Sequence, residues 1–188
     1  SRFRLNMWNG TTTVRPGLGH HSSLKSDYPS SVMTIVDSTG KLLQYISLQY
    51  HLHSPSEHTI NGEHTDLELH IVHSINSDLF SDKMTLAVMG LLFKTVAENS
   101  TDPTIFDQMD FTAGTFAVNL NTTVGQYVQN ENVFHYKGSL TTPECSEIVN
   151  WFVVQKIYPI RPSQLAAIQA QLNDAESNSR PVQDLNQR

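Results

Sequence analysis

Six of the nine histidines in this 188-residue chain lie between His51 and His73, far more than even scatter would place there. If residues 48–53 are extended, Gln49, His51 and His53 share one face, while Leu48, Tyr50 and Leu52 share the other and form core. Residues i and i+2 of a strand lie about 6.5–7 Å apart, so two imidazoles on one face can reach a common ion through bonds of about 2 Å. Glu68 and His70 share a face of a second expected strand, and antiparallel pairing of the two would deliver a third imidazole. Three neutral imidazoles without a thiolate suit zinc. Three protein ligands also leave a fourth position for water, which is the arrangement of a catalytic site rather than a structural one. Gln49 and Glu68 each stand two residues before a ligand, placed to accept the other ring N–H. His73 falls on the apolar face and reads as a buried, hydrogen-bonded residue, and His64 as a solvated turn residue. His58 could be ligand or structural, with the structural role favoured.

The elements that must position these groups read as mainly β. Residues 32–36, a Ser38-Thr39-Gly40 turn and residues 42–52 predict a hairpin. A second follows at once, with a turn signal at Asn61-Gly62. Over residues 67–73, Leu67, Leu69 and Ile71 alternate with Glu68 and His70, the period of a strand with two different faces. Residues 84–94 are long, apolar and free of proline, as a strand buried on both faces would be, and residues 151–156 resemble another. One helix is predicted, capped by Ser163 after Pro162, with Leu165, Ile168 and Leu172 at helical spacing. The Gly-, Ser- and His-rich residues 16–31 read as a loop.

Composition bounds the rest. At 38% hydrophobic and 16% charged, with net charge −6, the chain reads as one mildly acidic globular domain over residues 1–188. That charge argues against phosphate backbones, and so nucleic acid, as partners. The longest apolar stretch, residues 86–93, is too short to span a bilayer, which takes about 20 residues. Cys145 is the single cysteine; it excludes an internal disulfide and reads as a small buried hydrophobe. Sequons at Asn9, Asn99 and Asn121 are about as many as composition yields by chance, so they argue only weakly for a secreted glycoprotein. A zinc peptide hydrolase is disfavoured because no His-Glu-x-x-His is present.

Taken together, Gln49-Tyr50-His51-Leu52-His53, Ser56-Glu57-His58-Thr59 and Glu68-Leu69-His70-Ile71-Val72-His73 resemble the signature of the alpha-class carbonic anhydrases. Tyr136-Lys137-Gly138-Ser139-Leu140-Thr141-Thr142-Pro143, ending in Trp151, resembles that family's active-site threonine loop, and Asn178-Ser179-Arg180-Pro181 its late Asn-x-Arg-Pro segment. The resemblance implies a large twisted, mostly antiparallel sheet with a few peripheral helices (mainly β, α+β). It implies Zn2+ on His51, His53 and His70, with Gln49, Glu68 and Asn178 as partners of those ligands. Thr141 would orient zinc-bound hydroxide and donate a hydrogen bond to Glu57. Val72, Val88, Leu140 and Val149 would form the apolar wall where substrate rests, with Thr142 in the same pocket. The implied activity is that of a zinc lyase: reversible hydration of carbon dioxide to bicarbonate and a proton. This enzyme class is itself the standard case of a metal lowering the pKa of its water to about 7.

Two departures qualify the resemblance. The family's frequent proton-shuttle histidine would follow Asn9-Gly10, where Thr11 stands, and a threonine cannot carry a proton near neutral pH. His20 and His21 could substitute if their loop folds over the cleft. The family's N-terminal portion and its final strand are not visible, so the chain reads as truncated. Cys145 occupies the position at which extracellular members carry a cysteine bonded to one in that N-terminal portion, which points to an extracytoplasmic location. The alternative reading is a zinc-bound relative of low activity, serving as a binding, storage or structural subunit of a larger assembly.

Overall fold

Strands dominate because β-branched and aromatic residues alternate with polar ones along most of the chain. The computed structural model describes residues 4–6, 11–15, 23–26, 32–36, 40–75, 85–109, 116–119, 121–172 and 177–185. Its strands are β1 (Arg4–Asn6), β2 (Thr11–Arg15), β3 (Ser23–Ser26), β4 (Val32–Val36), β5 (Leu42–His53), β6 (Thr59–Ile60), β7 (Glu63–His64), β8 (Leu67–Ile75), β9 (Leu86–Thr95), β10 (Phe116–Asn119), β11 (Val133–Gly138) and β12 (Val149–Ile160). Ten of them form one sheet in the order β10-β2-β3-β5-β8-β9-β12-β11, with β4 also on β5 and β1 on β4. Only β9 and β12 run parallel; the other pairs described are antiparallel. The sheet is therefore mixed but mostly antiparallel, as expected.

Both expected hairpins form. β4 and β5 pair from Val32↔Ile46 to Val36↔Leu42. Gly40, at φ +86°, supplies the left-handed residue of their connection, whereas Ser38 and Thr39 lie outside the described residues. Asn61 and Gly62 adopt φ +53° and +84°, the two left-handed positions of a tight hairpin turn, and join β6 to β7.

The middle of the sheet is buried on both sides. One face carries the larger core, including Tyr50, Leu52, Leu69, Ile71, Met89 and Phe152. The opposite face carries a smaller cluster of Val72, Val88, Leu92, Val149, Trp151 and Val153. Burial on both sides explains the near-continuous apolar run of β9.

Three expectations need correction. Helix α2 (Pro162–Gln169), which follows the single turn α1 (Gln126–Val128), is capped by Arg161 rather than Ser163. Proline fits the first helical position because its missing N–H would be unpaired there anyway. Gln164 Oε1 then accepts the Arg161 N–H at 3.0 Å, and Ser163 donates to Glu98 instead. Residues 16–31 are not wholly loop, since β3 pairs with β5 through Ser23↔His51 and Leu24↔Tyr50; four residues with one large apolar side chain give no readable period. Leu48 is 39% exposed rather than core, for a reason that bears on the site.

Candidate metal centre

The ladder between β5 and β8 slips by one residue. Ser47 pairs with His73, but Gln49 pairs with Val72, leaving Leu48 as the extra residue of a bulge. Before the bulge Tyr45 belongs to the larger core, and buried Ser47 lies opposite the buried His73. Beyond it the odd-numbered residues turn to the other face. His51 stands directly opposite His70, and His53 opposite Glu68.

Each imidazole is then fixed by what its far nitrogen can do. His51 Nδ1 donates to Gln49 Oε1 at 3.1 Å, His53 Nδ1 to the Asn178 carbonyl at 3.0 Å, and His70 Nε2 to Glu68 Oε1 at 2.7 Å. All three acceptors are oxygens, so those ring nitrogens carry the protons. The remaining nitrogens, His51 Nε2, His53 Nε2 and His70 Nδ1, present lone pairs to one another. His51 Nε2 and His70 Nδ1 are 3.3 Å apart, but two lone pairs make no hydrogen bond. The buried His53 Nε2 makes no hydrogen bond within the described residues. A tetrahedral ion with nitrogen bonds of about 2.0–2.1 Å holds its ligand atoms about 3.3–3.4 Å apart. Ligand atoms of His51, His53 and His70 all lie within 4.8 Å of one another, and three neutral imidazoles are a donor set that zinc accepts. The residues fit the metal.

Glu68 is the hub behind His70. Its Oε1 takes His70 Nε2–H and also His58 Nδ1–H at 2.6 Å, and its Oε2 takes the backbone N–H groups of Glu57 and His58 at 2.9 and 2.8 Å. Burial pushes this carboxyl up, but His70 and His58 outweigh it and hold the group well below the ordinary carboxylate range. Burial likewise opposes charge on His58, and Glu68 outweighs it and raises the imidazole. His58 Nε2 meets Tyr136 Oη at 2.6 Å, so both ring nitrogens are occupied by hydrogen bonds. The His58, Glu68 and His70 group is thus a hydrogen-bonded brace, not a second metal cage. Trp151 sets its ring edge-on to both His70 and His58, with centroids 4.8 and 4.9 Å away, and limits their rotation.

The other expected residues divide. Asn178 contributes more than its carbonyl: its side chain accepts Ser54 N–H at 2.9 Å and donates to Leu52 O at 2.8 Å, clamping the chain on either side of His53. Val72, Val88 and Val149 form one apolar cluster, with Leu140 packed against it. Val72 pairs with Val88 one step along the sheet from His70. Thr141 and Thr142 are half-buried in the following loop, where Thr142 O accepts Cys145 N–H. Cys145 is half-buried rather than buried. The implied bond from Thr141 to Glu57 is not made. Glu57 Oε1 accepts Arg180 N–H at 2.8 Å, while Oε2 is turned toward the His70 ring, 3.9 Å from Nδ1, and has no partner among the described residues. His73 is fully buried and donates to Ala87 O, as its apolar face predicts. His64 is exposed but bonded to Ser56 O. His20 and His21 lie outside the described residues.

Sequence reasoning assigned no role to Arg180, Tyr136 or Trp151. Alternation carries no signal for a backbone N–H supplied from 123 residues away. Tyr136 and Trp151, by contrast, stand directly opposite each other on β11 and β12, a pairing that the hairpin itself could have suggested.

The alpha carbonic anhydrase 4 of Arabidopsis thaliana is 38% identical over 140 residues, covering 73% of this chain and 50% of that protein. Dioscorin dioA3 of Dioscorea japonica is 32% identical over 153 residues, covering 77% and 53%. The chain thus spans about half the length of these relatives. A hyperthermostable carbonic anhydrase identified from a hydrothermal vent chimney superposes with a TM-score of 0.71 at 27% identity, over 100% of this chain and 78% of that one. The family model for eukaryotic-type carbonic anhydrases matches residues 5–188, and over that extent of sequence and fold the chain belongs to the eukaryotic-type carbonic anhydrase family.

Proposed function

We propose that the protein catalyses the reversible hydration of carbon dioxide to bicarbonate and a proton, with zinc held by His51 Nε2, His53 Nε2 and His70 Nδ1. The observation that carries this reading is the convergence of three imidazole lone pairs, each turned inward by a hydrogen bond on its ring's far side. Zinc bound there supplies Lewis acidity that brings a water's pKa to about 7, for which this enzyme class is the standard case. The protein's part is orientation and exclusion of water. Val72, Val88, Val149 and Leu140 offer apolar surface to carbon dioxide, which has no proton to donate. Glu57 Oε2, which makes no hydrogen bond among the described residues, is assigned the Thr141 hydroxyl as its donor during turnover, which would leave a threonine lone pair to accept a hydrogen bond and so orient the reacting hydroxyl. Thr11 relays no proton near neutral pH, so the proton released passes to dissolved buffer unless His20 or His21 carries it.

A second reading, a zinc-bound protein of low activity with a binding or storage role, is favoured by the unmade Thr141–Glu57 bond and by the similarity to a dioscorin. Stopped-flow hydration of carbon dioxide by the full-length protein, before and after zinc stripping and at several buffer concentrations, separates the two. Zinc-dependent turnover that rises with buffer is expected. Stoichiometric zinc without turnover would leave the binding role.

A further inference from the structure

Gly90 stands directly across from His70 in the β8–β9 ladder. Its φ lies outside the left-handed region, so the backbone there would accept any L residue. What it lacks is room. A Cβ at this position would lie 2.9 Å from Glu68 Oε1 and 3.5 Å from Val153 Cγ2. The second distance is an ordinary van der Waals contact; the first requires something to move.

A carboxylate at the end of a side chain normally moves at little cost, but this one cannot. Glu68 is fully buried, and its two oxygens are engaged by four donors at 2.6–2.9 Å. The Oε1 that a Gly90 methyl would displace is the same atom that accepts His70 Nε2–H and His58 Nδ1–H. Any retreat from the methyl therefore changes the hydrogen bond that orients His70, and with it the direction of the His70 Nδ1 lone pair.

We propose that Gly90 is a positioning residue for the metal centre, required because only a residue without a side chain leaves Glu68 Oε1 where it can hold His70. The inference rests on reading His51, His53 and His70 as zinc ligands. A glycine here weakens the strand itself, and the nearest atom to the space it leaves is the Glu68 carboxylate oxygen, ahead of the Val153 methyls.

The test is zinc release from the loaded full-length protein into an excess of pyridine-2,6-dicarboxylate, for the wild type, Gly90→Ala, Glu68→Asp and the pair combined, with thermal unfolding of each zinc-free form alongside. The expected result for Gly90→Ala is release at least about tenfold faster, the scale of other losses just outside a metal's ligands, with unfolding of the zinc-free form little changed. In the Glu68→Asp background, where the carboxylate is withdrawn by one methylene, the same methyl should have much less effect. Release from Gly90→Ala at the wild-type rate would overturn the proposal. So would an equal acceleration in both backgrounds, since the methyl would then act through Val153 or the sheet. If Gly90→Ala does not fold alone, recovery of a folded protein in the pair supports the proposal, and failure of both overturns it. A wild type that takes up no zinc overturns the ligand reading first and the inference with it, and is recognised before any variant is compared.

Discussion

Glu68 shows how one buried side chain can organise a site. An ionised carboxylate away from water is costly unless every lone pair is occupied, and here four donors occupy them. Two of those donors are imidazoles with different positions: His70 faces the metal centre, and His58 leads outward to Tyr136. Influence on the metal should therefore fall with each bond along the chain from Tyr136 to His70. Removing the ligand itself, in His70→Ala, should abolish tight zinc binding. Glu68→Gln, which puts an N–H where only acceptors fit, should weaken affinity by about 10–100-fold. Tyr136→Phe, three bonds out, should cost less than Glu68→Gln. Competition with a fluorescent zinc chelator measures all three. A Tyr136→Phe effect equal to that of Glu68→Gln would mean that the tyrosine holds the site by some other route.

At the scale of elements, the bulge in β5 decides which face carries His51 and His53. Alternation over 48–53 correctly groups Gln49, His51 and His53, but followed backwards it would put Ser47 and Tyr45 with them, whereas Tyr45 lies in the opposite core. The extra residue, Leu48, absorbs the difference. Deleting Leu48 would place Gln49 directly after Ser47 and opposite Val72 in an unbroken ladder, so zinc binding should survive within a fewfold. Deleting Leu52 would make the two histidines adjacent and send them to opposite faces, so binding should be lost. Zinc content after gel filtration distinguishes the outcomes, and a Leu48 deletion without zinc would mean that the bulge's local twist aims the ligands. The strand pair and its clustered histidines were legible because a two-residue period needs only residue types. The bulge was not, since an inserted residue leaves no period. Nor did any periodicity mark the Asn178 carbonyl, which reaches His53 across 125 residues of sequence; only the resemblance pointed there.

Across the whole molecule, one sheet serves two environments: a broad apolar core on one side, and on the other a smaller apolar cluster that adjoins the polar metal centre. His73 belongs to the wrong side for a ligand. It is fully buried on the core face opposite Ser47. Burial lowers its pKa from 6.5 to about 4, even though the carbonyls of Ala87 and Ile71 favour its proton. Between those values the unfolded chain binds a proton that the folded chain refuses, so folded stability is fully present above pH 6.5 and is lost as pH falls toward 4. For a fully buried imidazole that difference amounts to about 2 kcal/mol by pH 5. Zinc held by the three clustered histidines would also be lost in acid as they protonate, so the two effects must be separated. Urea unfolding of the zinc-free protein at pH 7 and pH 5, compared with zinc-free His73→Gln, isolates the buried histidine. The wild type should lose about 2 kcal/mol more than the variant over that interval. Equal losses would mean that His73 takes up its proton inside the core and that the acid sensitivity of the fold originates elsewhere.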